Sequence, residues 1–389
     1  MRTKKQVPRS AYPPIRGKRA VTLCPGREYA DQRGGIGLID TYFLGANTPE
    51  GFRSEYAALQ ADPRIRRLTV IKGGPGCGKS TLMRKAAAHA EAMGCAVERI
   101  PCSSDPDSLD GVVIPALGRA FVDGTAPHVV EPALCGLGAN YLNLGQCYRE
   151  SVMEAAGPAL RAAKAANAAC YGPAYGLLRA AGELERLIRS LSAGADVRAA
   201  KRRLLGELPG PERDAPAEPG LCLPCFLDAF TPKGVVSLTP DAGRIWILQD
   251  SCGLAEGMLR QLAARWRAAG TAVRLARDPL APDALMGVIA PELDTACLRS
   301  TPVFDRSDTA AAMLRLDAAA EASLPDRTLD RIRSLRRRQR MLLSDALSWL
   351  SEAKARHDEL EALCRPAVDF AAADSMTQTV LEELSASRS

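Results

Sequence analysis

Residues 66–72, RRLTVIK, form a short apolar run between basic flanks, the pattern of a buried strand. The run leads directly into GGPGCGKST at Gly73 to Thr81. After it comes Leu82-Met83-Arg84-Lys85-Ala86-Ala87-Ala88-His89-Ala90-Glu91, a stretch of strong helix formers. Shorter apolar runs at Ala96 to Ile100 and Arg119 to Asp123 predict two more strands. From 146 to 208 the chain is alanine-rich, with leucines, arginines and glutamates at helical spacing. Gly157-Pro158 and Gly172-Pro173 predict breaks that divide this region into two or three helices. Residues 209–221 read as a Pro/Gly linker, and Arg244-Ile245-Trp246-Ile247-Leu248 as another strand. A last helical stretch covers 308–363, with Leu335, Leu342, Ala346, Leu347 and Leu350 on its apolar face.

A strand, a glycine loop and a helix are the context in which GxxxxGK[ST] spacing predicts a phosphate-binding loop. Gly73, Gly74, Gly76 and Gly78, with Pro75 and Cys77 between them, let the backbone turn so that successive N–H groups face one concavity. The following helix adds unpaired N–H groups and a partial positive charge. Lys79 is placed to reach the β- and γ-phosphates, and the Ser80 hydroxyl, with Thr81 beside it, to ligate Mg²⁺. Asp123, at the end of a short strand, is the candidate carboxylate for the same ion; a turn acid in Asp-Gly-Thr is the bland alternative. Asp105, Asp107 and Asp110 fall in the loop expected after the Ala96–Ile100 strand, where they are candidates to orient water or an acceptor. The alternative there is an Asp-Pro turn capping a helix at Ser104 or Asp105. His128 is either a γ-phosphate contact or an ordinary polar residue. No glutamate follows Asp123 to activate water, so any hydrolysis is expected to be slow.

The first half recurs. LGANTPEG from Leu44 returns as LDAFTPKG from Leu227, and RLTVI from Arg67 as RIWIL from Arg244. PDSLDGVVIPAL from Pro106 returns as PDALMGVIAPEL from Pro282, with seven of twelve positions identical, and Gly124-Thr125-Ala126 is echoed near Ser300-Thr301-Pro302. Matched pieces in one order predict a duplicated scaffold. Aligned on the strand, the second loop is DSCGLAEGM from Asp250, with Glu256 opposite Lys79, Gly257 opposite Ser80 and Arg299 opposite Asp123. A glutamate in the lysine's place repels a triphosphate, so the second half is expected not to bind Mg-nucleotide.

TPEGF, GGPGCGKSTLM, SDPDSLDGVVIP and VDGTAPHV in the first half, with TPKGVVS and PDALMGVIAPEL in the second, make the chain resemble a family of uncharacterised bacterial ATPases with two tandem P-loop repeats. The resemblance spans about residues 40 to 350. It implies an α/β fold with a P-loop NTPase-type parallel sheet and flanking helices, duplicated, and it implies ATP as the nucleotide. Members of that family often keep a recognisable loop in both repeats; this chain departs from that pattern in the second.

The expected organisation is a tail (1–33), a first P-loop core (34–145), a helical appendage (146–208), the linker (209–221), a degenerate second core (222–305), a second appendage (306–371) and a C-terminal tail (372–389). The 389 residues are 47% apolar and carry a net charge of +6, without an apolar run of membrane-spanning length or a signal peptide, so a cytoplasmic location is expected. Twelve scattered cysteines, including a lone CxxC at Cys222 and Cys225, suit reduced thiols better than a disulfide framework or a zinc site. Positive charge gathers in the first tail, expected to be disordered, and in Arg331 to Arg340, expected to be a solvated helix face. A basic tail without aromatic platform residues is weak support for nucleic-acid binding. A protein partner for the helical appendages remains open. The leading expectation is a slow Mg-dependent ATPase. A small-molecule or nucleotide kinase and a non-catalytic ATP-gated interaction module are the rivals.

Overall fold

In the computed structural model, residues 40–127, 129–132, 134–208, 218–309 and 311–387 are described. The 1–33 tail, His128 and most of the linker lie outside them.

The described residues open with a hairpin of β1 (Gly45–Thr48) and β2 (Gly51–Ser54), followed by the short helix α1 (Ala58–Ala61). Next come β3 (Arg67–Lys72), α2 (Lys79–Ala92), β4 (Glu98–Cys102), β5 (Asp105–Ile114), β6 (Arg119–Asp123) and β7 (Ala139–Asn143). Three helices follow, α3 (Glu150–Ala155), α4 (Gly157–Ser192) and α5 (Arg198–Glu207). The second half runs β8 (Cys222–Cys225), the hairpin β9 (Asp228–Thr231) and β10 (Gly234–Ser237), β11 (Arg244–Gln249), α6 (Glu256–Ala268), β12 (Val273–Asp278), β13 (Ala281–Ala290), β14 (Thr295–Ser300) and β15 (Ala312–Arg315). It ends in α7 (Leu316–Ser323), α8 (Asp326–Cys364) and α9 (Phe370–Ala386).

The fold is α/β, with two mixed sheets and flanking helices. The first sheet has the order β4-β5-β6-β3-β7, and the second β15-β11-β14-β13-β12-β8. β3 is parallel to β6 and β7, as β11 is to β14 and β15. β5 is antiparallel to β4 and β6, as β13 is to β12 and β14. Apart from β8, strands at equal places in the two halves occupy equal places in the two sheets.

The expected parallel sheet is therefore corrected to a mixed one. The expected loop with Asp105, Asp107 and Asp110 is mostly strand: these residues belong to the ten-residue β5, which turns straight back along β4. The apolar half of that strand, Val112 to Ile114, is buried on both faces, which favours pairing over the turn that Asp-Pro alone suggests.

Alternation along the strands explains the layers. Leu68 and Val70 of β3, with Val122 of β6, face inward and share one core with Ile247 of β11 and Leu298 of β14. Between the sheets run α4 and α8, contributing Ala174, Leu178 and Ala181 against Leu343, Ala346 and Leu350. The two helices are antiparallel: the Asn167 amide donates to Ala353 O (2.7 Å) and the Gln339 amide to Ala181 O (3.0 Å). Pro158 starts α4, as a first-turn proline should, but Pro173 does not break it. A helical proline costs about 3 kcal/mol; burial of the neighbouring Ala174, Leu178 and Ala181 against α8 offsets that.

The outer faces are covered by exchange. α5 of the first half sets Leu204 against Met258, Leu259 and Trp266 on the second sheet. α9 of the second half sets Val380 and Leu384 against Met83 and Phe121 on the first. Lys85–Asp374 (2.7 Å) and Arg119–Glu383 (2.8 Å) add ion pairs to that seam. The expected C-terminal tail is thus a docked helix. Its apolar residues carry too little contrast with the alanines around them to stand out in the sequence. Replacing the fully buried Leu384 with alanine is expected to lower the unfolding free energy by about 2–5 kcal/mol, read by chemical denaturation. A loss below about 0.5 kcal/mol, the range of surface substitutions, would mean that α9 is not docked.

Candidate functional site

β3 ends at Lys72 and α2 begins at Lys79, so the glycine loop joins a buried strand to a helix N-terminus. Gly76 and Gly78 have φ of 75° and 97°, left-handed values that side chains resist. Gly74 is needed for a different reason: a Cβ there would meet Tyr148 Oη at 2.9 Å. That hydroxyl donates to Pro75 O at 2.6 Å and clasps the loop; burial, then neighbouring Cys77, pushes its pKa up. The first bond of α2 runs from Leu82 N–H to Gly78 O (2.9 Å), so Lys79, Ser80 and Thr81 present N–H groups without helical acceptors.

The structure brings the loop, Lys79 and Asp123 together. Asp123 pairs in register with Ile71 on the adjacent parallel strand, which sets its carboxylate beside the loop. Lys79 Nζ donates to Gly73 O (2.8 Å) and Gly74 O (3.0 Å) and lies 3.6 Å from Asp123 Oδ2. Asp123 Oδ1 accepts from Thr125 N (2.8 Å) and Thr125 Oγ1 (2.5 Å), which orients the carboxylate. One carboxylate and a nearby serine suit a hard cation whose other ligands are water and phosphate oxygens. Ser80 is turned aside: its Oγ accepts from Leu109 N (2.9 Å) and Arg84 (2.9 Å), so it must rotate to serve as a ligand. Among the described residues no group of three or more His, Cys, Asp or Glu is arranged to hold a metal by itself.

The other predicted acids are scattered along β5. Asp107 is exposed and paired with Lys233, while its carbonyl accepts from Arg84 (3.0 Å). Asp105 lies 3.5 Å from Lys354. Asp110 is buried and accepts from Tyr56 Oη (2.8 Å). These partners, Lys233, Lys354 and Tyr56, all lie on elements other than the glycine loop. Sequence reasoning missed Tyr148 and the C-terminal part of α8, which lies over the loop. A Cβ at Gly76 would sit 3.5 Å from Glu361 O. No local signal marks either, because both reach the loop through tertiary packing.

The second loop has the same frame and a different occupant. Asp250 stands where Gly73 does, directly after the strand. Its carboxylate accepts from the backbone N–H groups of Cys252 (3.1 Å), Leu254 (2.9 Å) and Ala255 (2.9 Å). The N–H concavity is filled by an acid belonging to the loop itself. Arg299, at the place of Asp123, donates to Asp250 (2.8 Å) and Asp278 (2.9 Å) and lies 3.7 Å from Glu185. Arg189 bridges Asp278 (2.7 Å) and Glu185 (3.2 Å), and Arg336 pairs with Glu185. Arg336 thus leaves the solvated face expected for Arg331 to Arg340 and is buried. Burial raises the Glu185 pKa, but Arg336 and then Arg299 outweigh it and hold the carboxyl down to about 2.

The hydrogen bonds also correct the register of the comparison. Glu256 accepts from Leu285 N (2.7 Å) and Arg260 (2.5 Å), the counterparts of the Leu109 N–H and Arg84 that hold Ser80. Glu256 therefore stands opposite Ser80, and the counterpart of Lys79 is Ala255, which has no charge to offer a phosphate.

Because the folded pKa of Glu185 lies below its ordinary 4.5, its contribution is complete above pH 4.5 and is lost as the pH falls toward 2. The melting temperature is expected to hold above that window and drop within it. Glu185→Gln, which leaves two buried arginines short of a partner, is expected to cost about 3–5 kcal/mol at pH 7 and to flatten the acid limb. An unchanged acid limb would contradict the network.

Compared with known protein families, curated proteins and solved structures, the chain matches none.

Proposed function

We propose that this protein binds Mg-ATP at the Gly73–Thr81 loop and hydrolyses it slowly, and that its two halves are copies of one P-loop unit of which the second has lost the nucleotide. The observation that carries the reading is the convergence of three elements: a left-handed glycine loop, Lys79 at the N-terminus of α2, and Asp123 at the end of the neighbouring parallel strand. The matching strand order of the two sheets supports the duplication.

In this reading the loop and α2 N–H groups bind phosphate oxygens, and Lys79 exchanges its two loop carbonyls for the β- and γ-phosphates. Asp123, with Ser80 once it rotates, would hold Mg²⁺, which supplies charge neutralisation across the phosphates. Of the predicted acids on β5, Asp110 is engaged by Tyr56 and Asp107 by Lys233, so neither is placed to take a proton from water at the loop. That supports slow turnover in isolation. It also keeps open the ATP-gated module, which the placement of α8 over the loop favours more than a kinase with an open acceptor site.

Phosphate release from Mg-ATP by the purified protein is the direct test. Lys79→Ala is expected to reduce release by at least about tenfold, from the loss of one charge-assisted contact of about 1.5–3 kcal/mol. Glu256→Ala is expected to leave release unchanged. Equal losses in the two variants would contradict the division into a live and a dead loop.

A further inference from the structure

The two loops differ in where their anion comes from. In the second half Asp250 fills its own loop. In the first, glycine replaces that aspartate, and besides Asp123 at the end of β6 an acid reaches the loop from the opposite half of the chain. Lys354, His357 and Glu361 follow one another at i, i+3 and i+7 on α8, so they share a stripe of the helix. One end of the stripe is anchored on β5, where Lys354 lies 3.5 Å from Asp105 Oδ2. The other end lies on the loop: a Cβ at Gly76 would stand 3.5 Å from Glu361 O and 3.9 Å from its Cβ. The Glu361 carboxyl is 3.6 Å from His357 Nε2, and its pKa is lowered by His357 first and by the Gly76 N–H among the other contributors.

The position of this stripe is not a surface accident. Leu350, Ala353, Leu360 and Cys364 of α8 are buried, so the helix is held over the loop by packing along its length. The equivalent contact in the second half is made by Arg189 of α4, whose side chain would meet a Cβ at Gly253 at 2.5 Å. An arginine there faces a loop that already contains an acid. A glutamate here faces one that contains none. Each loop thus meets a carboxylate, in one case from within and in the other from α8.

We propose that Glu361 is a placeholder for a nucleotide phosphate in the first loop, and that binding of Mg-ATP must displace it and with it the C-terminal part of α8. The proposal rests on the Mg-ATP reading of this loop and adds its regulation. A triphosphate in the loop would be repelled by a carboxylate beside Gly76, so Glu361 sets a threshold that the triphosphate has to exceed. Because α8 also carries Arg336 into the ion network of the second half, occupancy of the first loop is transmitted along one helix.

The test is equilibrium titration of the full chain with a fluorescent ATP analogue and Mg²⁺, using wild type, Glu361→Gln, Glu361→Ala and Lys79→Ala. Removing the like charge is expected to tighten binding on the order of tenfold in both Glu361 variants. Melting curves would check that both variants fold as the wild type does. Wild-type binding that Lys79→Ala abolishes, with Glu361 variants no tighter, overturns the placeholder and leaves the nucleotide site standing. Absence of binding in wild type and in both Glu361 variants overturns the nucleotide site and the placeholder together. Binding only after Glu361 is replaced supports both.

Discussion

Six charges, five of them buried and Arg189 half-buried, hold the two halves in one arrangement. Asp250, Asp278 and Glu185 meet Arg299, Arg189 and Arg336, and they come from β11's loop, β12, β14, α4 and α8. Each ion taken from water costs several kcal/mol, repaid only when its partners are in place. Such a set tolerates one geometry. It fixes α4 against α8, and both against the second sheet. Arg306 with Asp228 (2.7 Å) extends the same logic to the hairpin β9–β10. The position of α8 over the first loop depends on this anchoring at its other end.

The contrast between the loops follows from one substitution after the strand. Glycine at 73 leaves a concavity of backbone N–H groups that needs an anion from elsewhere. Aspartate at 250 supplies that anion permanently, and Arg299 in place of Asp123 completes the inversion of charge. The second half has not decayed into a loose remnant. It is a self-liganded structure, with the Asp250 carboxylate held by the N–H groups of its own loop.

The strands around the glycine loop, and the loop itself, were legible because their signals are local. Glycines with a following lysine and serine, after an alternating apolar run, need no distant partner to be read. What failed was set by tertiary contact. Pro173 stays helical because α8 covers its neighbours, and Asp105 to Ile114 pairs as a strand because β4 and β6 flank it. Arg336 is buried because Glu185 waits on another helix. Glu256 was one place out of register, since only hydrogen bonds to Leu285 and Arg260 reveal which residue it replaces. Of the candidate site, Lys79 and Asp123 were found together; Tyr148 and Glu361 lie 69 and 282 positions beyond Lys79 and could not be. No helix among the described residues is long and apolar enough to cross a membrane, in keeping with the absence of such a run in the sequence.

The central claim is that one loop takes a nucleotide and the other takes its own aspartate. Calorimetric titration of the full chain with Mg-ATP measures this as a stoichiometry. The account predicts one site per chain, absent in Lys79→Ala. Two sites, or one that survives that substitution, would contradict it.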